Sequence, residues 1–464
     1  MAIVRVSGVQ GLSAPSADSP PFEPSPALSV LAQFEEAGKV LAVVPLTPAA
    51  PTLIEPSGAV AALMAPSLDA DEGATSIIRL SRDDDVPQLL QALADAPEVQ
   101  FASRVPTRWT AVAMPASRAL FGFGGPGMAG APTGVATATQ LPWNLQRIGW
   151  DRLQSMAATM ADDVRVGVLD TGVDPYHPNL AGQVDRYVWD GPSVTGHVSS
   201  LDIVGHGTHV SGTICALPGS TPATRGVCRA RLSVWKIFDD EPDYIAGSNI
   251  YWYLVDPIMY RRALAQCAES VDIVNLSIGG AAPPDPQERA LLDVLASRGI
   301  TVVAAMGNER SLGSPTSYPA AIPGVIAVGA TAVDDTVAPF SNAGDYIQVS
   351  APGVGIWSTM PHYPGQPGFR VATGPGGKPM PGTPIPREIN YATESGTSMA
   401  TPHVAAAAAL ALSNSSSRRR PTEVRDIIMA SADHTPGMLG QVWTRDVGAG
   451  RVNLPRLIMA SRNL

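Results

Sequence analysis

Short, continuous apolar runs recur through the last two thirds of the chain, each ending on a polar or glycine residue and each followed by a stretch long enough for a helix. Val164-Arg165-Val166-Gly167-Val168-Leu169, Ile273-Val274-Asn275-Leu276 and Val302-Val303-Ala304-Ala305-Met306 are of this kind. Near-continuous hydrophobicity, rather than alternation, is the signature of strands buried on both faces, so the pattern predicts a mostly parallel sheet with helices on both faces. The alanine-rich run after Met399 predicts a helix. Before residue 141 the pattern is different. Lys39–Leu46, Ser76–Leu80 and Glu98–Ala102 read as strands and Val86–Leu93 as a helix, which together predict a small α+β unit. The chain therefore divides into an N-terminal tail, 1–26, rich in Ser, Pro and acidic residues from residue 9; an α+β domain, 27–113; a Gly/Ala/Pro-rich linker, 114–140; and an α/β domain, 141–464.

Composition narrows the function. With 464 residues, 45% hydrophobic and 16% charged, the chain can bury a large core. A net charge of −10 excludes a nucleic-acid binder of the usual basic kind. Cys215, Cys228 and Cys267 are too few and too irregularly spaced for a disulfide framework or a zinc site, and suit a reducing compartment. The first residues show no basic patch followed by a long apolar core, and no apolar run is long enough to span a bilayer. The expected location is cytoplasmic, with export by a route lacking a cleaved signal left open, and no membrane partner is expected.

Candidate chemistry centres on Glu394-Ser395-Gly396-Thr397-Ser398-Met399-Ala400-Thr401-Pro402-His403-Val404, where a glycine-led turn enters the helix at Ser398. A serine needs a base to take its proton and a carboxylate to orient the base. Asp170 ends the first apolar run, at the carboxyl end of a strand where open α/β sheets place their sites. His206 lies within Gly205-His206-Gly207-Thr208-His209-Val210, flanked by glycines that let backbone approach the ring. Taken singly, an aspartate after a strand is more often a cap and a histidine more often structural. His209 and His403 are read as packing residues, Asp174 and His177 as turn formers, and Tyr251, Trp252 and Tyr253 as core or as the wall of a distal subsite.

In the order Asp170, His206, Ser398, these segments resemble the three active-site blocks of the subtilisin-like serine proteases (subtilases, peptidase S8), and Val302–Glu309 resembles the block that carries the family's oxyanion asparagine, here Asn308. The resemblance spans roughly residues 141 to 460, opening at Leu141–Ile148. It implies a serine endopeptidase acting on peptides or proteins through an Asp170–His206–Ser398 triad and an acyl-enzyme, with Asn308 and the Ser398 N–H holding the oxyanion. It also implies that Ser277, Ile278 and Gly279 pair with an extended substrate, with Gly307 across the first specificity pocket and Glu309 on its rim, where it would favour a basic side chain. Pro402 is expected in the first helical turn. The 27–113 unit is similar in architecture to the family's propeptides, which implies an intramolecular chaperone and inhibitor released when the linker is cut, with the chain made as a self-processed zymogen. No cofactor is implied. Many relatives help bind calcium with an aspartate after His-Pro, and this chain has Asn179 there, so calcium lacks that carboxylate and no metal ligand is assigned. The segment 360–390, crowded with Pro and Gly, reads as an enlarged loop that limits which substrates enter. A cleft that binds peptides without cutting them is the rival reading, although all four catalytic positions carry the expected side chains.

Overall fold

The computed structural model describes residues 2–7, 26–45, 76–80, 83–97, 99, 101–110, 141–153, 159–218, 224–244, 250–415 and 417–462. The linker 114–140 lies outside the described residues. The N-terminal unit comprises β1 (Ala2–Ser7), α1 (Pro26–Glu36), β2 (Val40–Pro45), β3 (Ser76–Leu80), α2 (Val86–Ala94), β4 (Phe101–Arg104) and a short β5 (Trp109–Thr110). Its antiparallel sheet has the order β2-β3-β1-β4. Ala2–Ser7, assigned from composition to a tail, is thus an inner strand. Val4 is fully buried, and the Ser/Pro-rich stretch beginning at residue 9 had masked the short apolar alternation before it. β4 begins at Phe101, later than the expected strand. Leu31, Ile78, Leu80, Leu89 and Leu93 form the centre of the unit's core.

The larger domain begins with α3 (Trp143–Arg147), β6 (Met160–Asp170), β7 (Val184–Val188), α4 (His206–Cys215), β8 (Arg229–Lys236), β9 (Asp243–Tyr244), β10 (Ile250–Trp252) and α5 (Pro257–Ser270). β11 (Ile273–Leu276), β12 (Ile278–Gly279), α6 (Pro286–Ser297), β13 (Thr301–Ala305), β14 (Ile326–Thr331), β15 (Ile347–Pro352), β16 (Ile356–Thr359), β17 (Gly368–Thr373), β18 (Pro379–Ile385) and β19 (Tyr391–Glu394) follow, and α7 (Thr397–Ser413), α8 (Pro421–Ser431) and α9 (Leu454–Arg462) close it. Seven strands make one parallel sheet, β15-β14-β13-β11-β6-β8-β7. From Val166 to Asp170 every residue of β6 is buried, as expected of a strand covered on both faces. One face carries α4, α7, α8 and α9 around a core that includes Val166, Val168, Val210 and Ala405–Ala411; the other carries α5 and α6 over Leu169, Val274, Leu264 and Leu292.

The α7 helix is apolar on all sides and buried from Thr397 to Ala411, and its alanines let it lie close to the sheet. It starts at Thr397, so Pro402 sits in the second turn rather than the first. A proline there cannot donate to the Ser398 carbonyl, and that carbonyl instead accepts from Ser277 Oγ at 2.9 Å. This bond ties the Ser398 turn to the junction of β11 and β12.

The segment 360–390 is largely ordered structure: β17 and β18 extend a small sheet of order β18-β17-β10-β9. Pro379, Pro381 and Pro384 are accommodated because β18 is the edge strand, where missing N–H donors break no ladder.

Candidate active site

Asp170, His206, Asn308 and Ser398 are all brought to the carboxyl edge of the parallel sheet. Asp170 is the last residue of β6, His206 the first of α4, Asn308 follows β13, and Ser398 is the second residue of α7. All except Asn308, which is 9% exposed, are at most 1% exposed. α4 can approach β6 this closely because of Gly207, where a side-chain carbon would come 2.1 Å from the Gly172 carbonyl oxygen and 3.0 Å from Asp170 Cβ.

His206 Nδ1–H donates to Asp170 Oδ1 at 2.6 Å, which fixes the tautomer with Nε2 as the unprotonated nitrogen. The Thr171 N–H donates to the same oxygen at 2.7 Å. Burial pulls the His206 pKa down most, but the charge of Asp170, the hydrogen bond to it and the charges of Glu394 and Asp202 together hold the imidazole above its ordinary value. For Asp170, burial raises the carboxyl pKa against the opposing pull of His206. Asp202, which sequence reasoning missed, organises this corner. It accepts from the Gly205 and Thr208 N–H groups at 2.8 and 2.9 Å and from the Thr171 and Thr208 hydroxyls at 2.8 and 2.6 Å, fixing the start of α4. Its position just ahead of a glycine-flanked helix start was the available signal.

The structure does not join Ser398 to His206. The Ser398 hydroxyl donates to the Ser277 carbonyl at 2.7 Å, and His206 Nε2 has no hydrogen-bond partner. Asn308 Oδ1 accepts from the Thr397 N–H and hydroxyl at 2.9 and 3.0 Å, which orients the amide and leaves Nδ2, buried, without a partner. A buried donor held this way is suited to a negative charge that develops beside Ser398.

Ser277, Ile278 and Gly279 form the neighbouring edge, and they are occupied by the chain itself. β5 pairs antiparallel with β12, Thr110 opposite Ile278 and Trp109 opposite Gly279. On the other side the Val255 N–H donates to the Arg108 carbonyl at 3.0 Å. Gly280 is required for this passage, since a side-chain carbon there would lie 2.3 Å from the Thr107 carbonyl oxygen. Ile77 and Val105 of the N-terminal unit pack with Val194 and Ile258 of the larger domain.

Gly307 donates its N–H to Thr397 Oγ1 at 3.1 Å and lies beside Glu309. The Glu309 carboxylate turns inward: it accepts from the Asn308 N–H at 2.8 Å, from Asn342 Nδ2 at 3.0 Å and from the Trp109 indole, and burial raises its pKa. His209 and His403 are packed, His209 Nε2 against the Ile356 carbonyl at 3.0 Å and His403 Nε2 against Asn144 Nδ2 at 2.8 Å. Asn179 Nδ2 donates to the Leu217 carbonyl and its Oδ1 accepts from the Tyr391 hydroxyl, each at 2.6 Å. Its amide is spent in the turn, and among the described residues no group of three or more His, Cys, Asp or Glu is arranged to hold a metal ion. Among the described residues, too, no helix is long and apolar enough to cross a membrane.

Comparison with known proteins agrees with this geometry. The Subtilase family (Peptidase S8) model matches residues 161–450. Subtilisin E of Bacillus subtilis (strain 168) is 35% identical over 303 residues, covering 64% of this chain and 67% of that protein. An intracellular serine protease of Paenibacillus polymyxa is 35% identical over 272 residues, covering 57% of this chain and 72% of that one. The crystal structure of fervidolysin from Fervidobacterium pennivorans, a keratinolytic enzyme related to subtilisin, superposes with a TM-score of 0.58 at 22% identity over 99% of this chain. This chain spans 61% of that structure's length. A parallel sheet that delivers a buried Asp–His pair to the first turn of a buried helix, together with a family match over most of the larger domain, leads to one conclusion: the chain belongs to the subtilase family of serine proteases.

Proposed function

We propose that the chain is a serine endopeptidase made as a zymogen, with Ser398 as nucleophile, His206 as general base and acid, Asp170 as the orienting carboxylate and Asn308 as oxyanion donor. The observation that carries this reading is the Asp170–His206 hydrogen bond at 2.6 Å with Nε2 left free and the orphaned Asn308 Nδ2 donor close by. Rotation of the Ser398 side chain away from the Ser277 carbonyl would hand its proton to His206 Nε2 as Oγ attacks a peptide carbonyl carbon. The oxyanion accepts from Asn308 Nδ2 and the Ser398 N–H. Collapse breaks the C–N bond, and His206 gives its proton to the leaving amine. Water, deprotonated by His206, then hydrolyses the acyl-enzyme and restores the serine.

The N-terminal unit acts in this reading as an intramolecular inhibitor and folding aid. What supports it is β5, which lies on the edge a substrate strand would use. Release follows self-cleavage within the 114–140 linker. A fluorophosphonate should label the wild-type chain and leave Ser398→Ala unlabelled, and the wild type should shorten while Ser398→Ala stays full length. Equal processing of the two would remove the case for self-cleavage, and absence of label on shortened wild type would favour a non-catalytic binding cleft.

A further inference from the structure

The residue preceding β5 is Arg108, and it is only 1% exposed. Its guanidinium enters a pocket of the larger domain, where Nη2 donates to Glu288 Oε2 at 3.0 Å and Nη1 to the Ala282 carbonyl at 2.8 Å. The two side chains of the ion pair are each 2% exposed. Beside them Arg261 is committed to Asp285 and to the Pro257 carbonyl, and Asp285 also caps α6 through the Gln287 and Glu288 N–H groups. Among the described residues Glu288 has one ion-pair partner, Arg108. When Arg108 leaves, the buried Glu288 carboxylate loses the guanidinium that pairs with it. A pocket in that state takes a cation readily and a neutral side chain poorly.

The register places this pocket along the substrate path. Ser277 contacts Ser398 in both directions, through Ser277 Oγ to the Ser398 carbonyl and Ser398 Oγ to the Ser277 carbonyl. The ladder pairs Thr110 with Ile278 and Trp109 with Gly279, so a substrate strand that kept this register would set its next residue opposite Ser277, beside Ser398. A substrate strand bound in this register offers that position's carbonyl to Ser398, Thr110 and Trp109 mark its second and third positions, and Arg108 marks its fourth. Side chains alternate along a strand, so the fourth lies on the same side as the second and on the side opposite Trp109, which reaches Glu309.

We propose that the Glu288 pocket is a specificity subsite for an arginine at the fourth residue before the scissile bond, and that Arg108 is the chain's own occupant of it. The inference rests on the endopeptidase reading above. The site favours arginine over lysine because two separate guanidinium nitrogens are used, one on the carboxylate and one on the Ala282 carbonyl, a division a single ammonium matches less well. One residue thus serves both to anchor the inhibitory strand and to mark what the freed cleft selects.

The test measures kcat/KM of the processed enzyme on quenched peptides that differ only at the fourth residue before the cut, as Arg, Lys or Leu, with fluorophosphonate labelling run alongside. Arg should exceed Leu on the order of a hundredfold, as for a site whose buried polar group is left unpaired by the wrong substrate, with Lys between. Glu288→Leu should abolish or invert that order, with fluorophosphonate labelling reporting the fraction of competent enzyme. Glu288→Gln, nearly the same shape, should lose most of the preference and guards against a packing artefact. Normal labelling with equal cleavage of the Arg and Leu peptides, or an Arg preference that survives in Glu288→Leu, would overturn the subsite alone. A shortened chain that neither labels nor cuts any peptide would overturn the endopeptidase reading, and the subsite with it.

Discussion

The larger domain and the N-terminal unit bury their chemistry on very different scales. The larger domain wraps its sheet on both faces, and α7 alone is buried from Thr397 to Ala411, so Asp170 and His206 stand on a frame whose two core clusters are drawn from residues after 140. The N-terminal unit gathers a small core around Leu31, Ile78, Leu89 and Leu93 and spends much of its remaining contact on its neighbour, through Ile77, Val105, Arg108 and β5. Units of this size are marginal alone. Each region holds a buried ionic pair, but Asp170–His206 lies within one domain, whereas Arg108–Glu288 joins two and can be exchanged for a partner from outside.

The comparison can be broken at several points. Asp170→Asn should keep the fold and lower kcat by about ten-thousandfold, because the ring loses its tautomer and the imidazolium its counter-charge; a loss below about tenfold in steady-state kinetics would show that the pair is structural. Next in size is the docked pair. Removing one partner of a buried ion pair typically costs about 3–5 kcal/mol, so Glu288→Leu in the uncleaved Ser398→Ala background should speed amide exchange at Ile278 and Gly279 while leaving exchange in β6 and β13 unchanged. Unaltered exchange at β12 would assign docking to Ile77 and β5 instead. Asn308→Leu should reduce kcat by about a hundred- to a thousandfold with KM little changed, and a change confined to KM would remove the oxyanion role.

The smallest expected effect is in pH. In the proposed mechanism His206 must be neutral to act as base, and its pKa lies above the ordinary 6.5 because Asp170, Glu394 and Asp202 together outweigh burial. Activity is therefore lost as pH falls through a value higher than 6.5, and kcat/KM should show its acid limb there. A limb below 6.5 would mean that burial prevails over the Asp170 pair.

What the sequence made legible follows from how strictly each site constrains its residues. Gly207 must be glycine for α4 to meet β6, and the alanines of α7 must be small for it to pack on the sheet, so the segments around His206 and Ser398 announce themselves. Glu288 did not, because Asp285-Pro286-Gln287-Glu288 reads as an ordinary helix start, and Asp285 does cap α6. Its significance lies in a guanidinium 180 residues away in sequence. Basic selectivity was accordingly assigned to Glu309, whose carboxylate proves to be bonded inward. β17 and β18 were read as loop because proline normally argues against a strand, an argument that fails at a sheet edge. Pro402 was displaced by one turn because a partner for the freed Ser398 carbonyl, Ser277, cannot be read from the local sequence.

On the proposed reading, Ser398 is a competent nucleophile held silent by the chain's own strand on the substrate edge. Fluorophosphonate labelling of Ser398, sampled through the time in which the freshly folded wild-type chain is shortened, tests this most directly. Labelled protein should rise in step with the cleaved fraction while the full-length band stays unlabelled; a full-length chain that labels as fast as the shortened one would rule out inhibition by the strand.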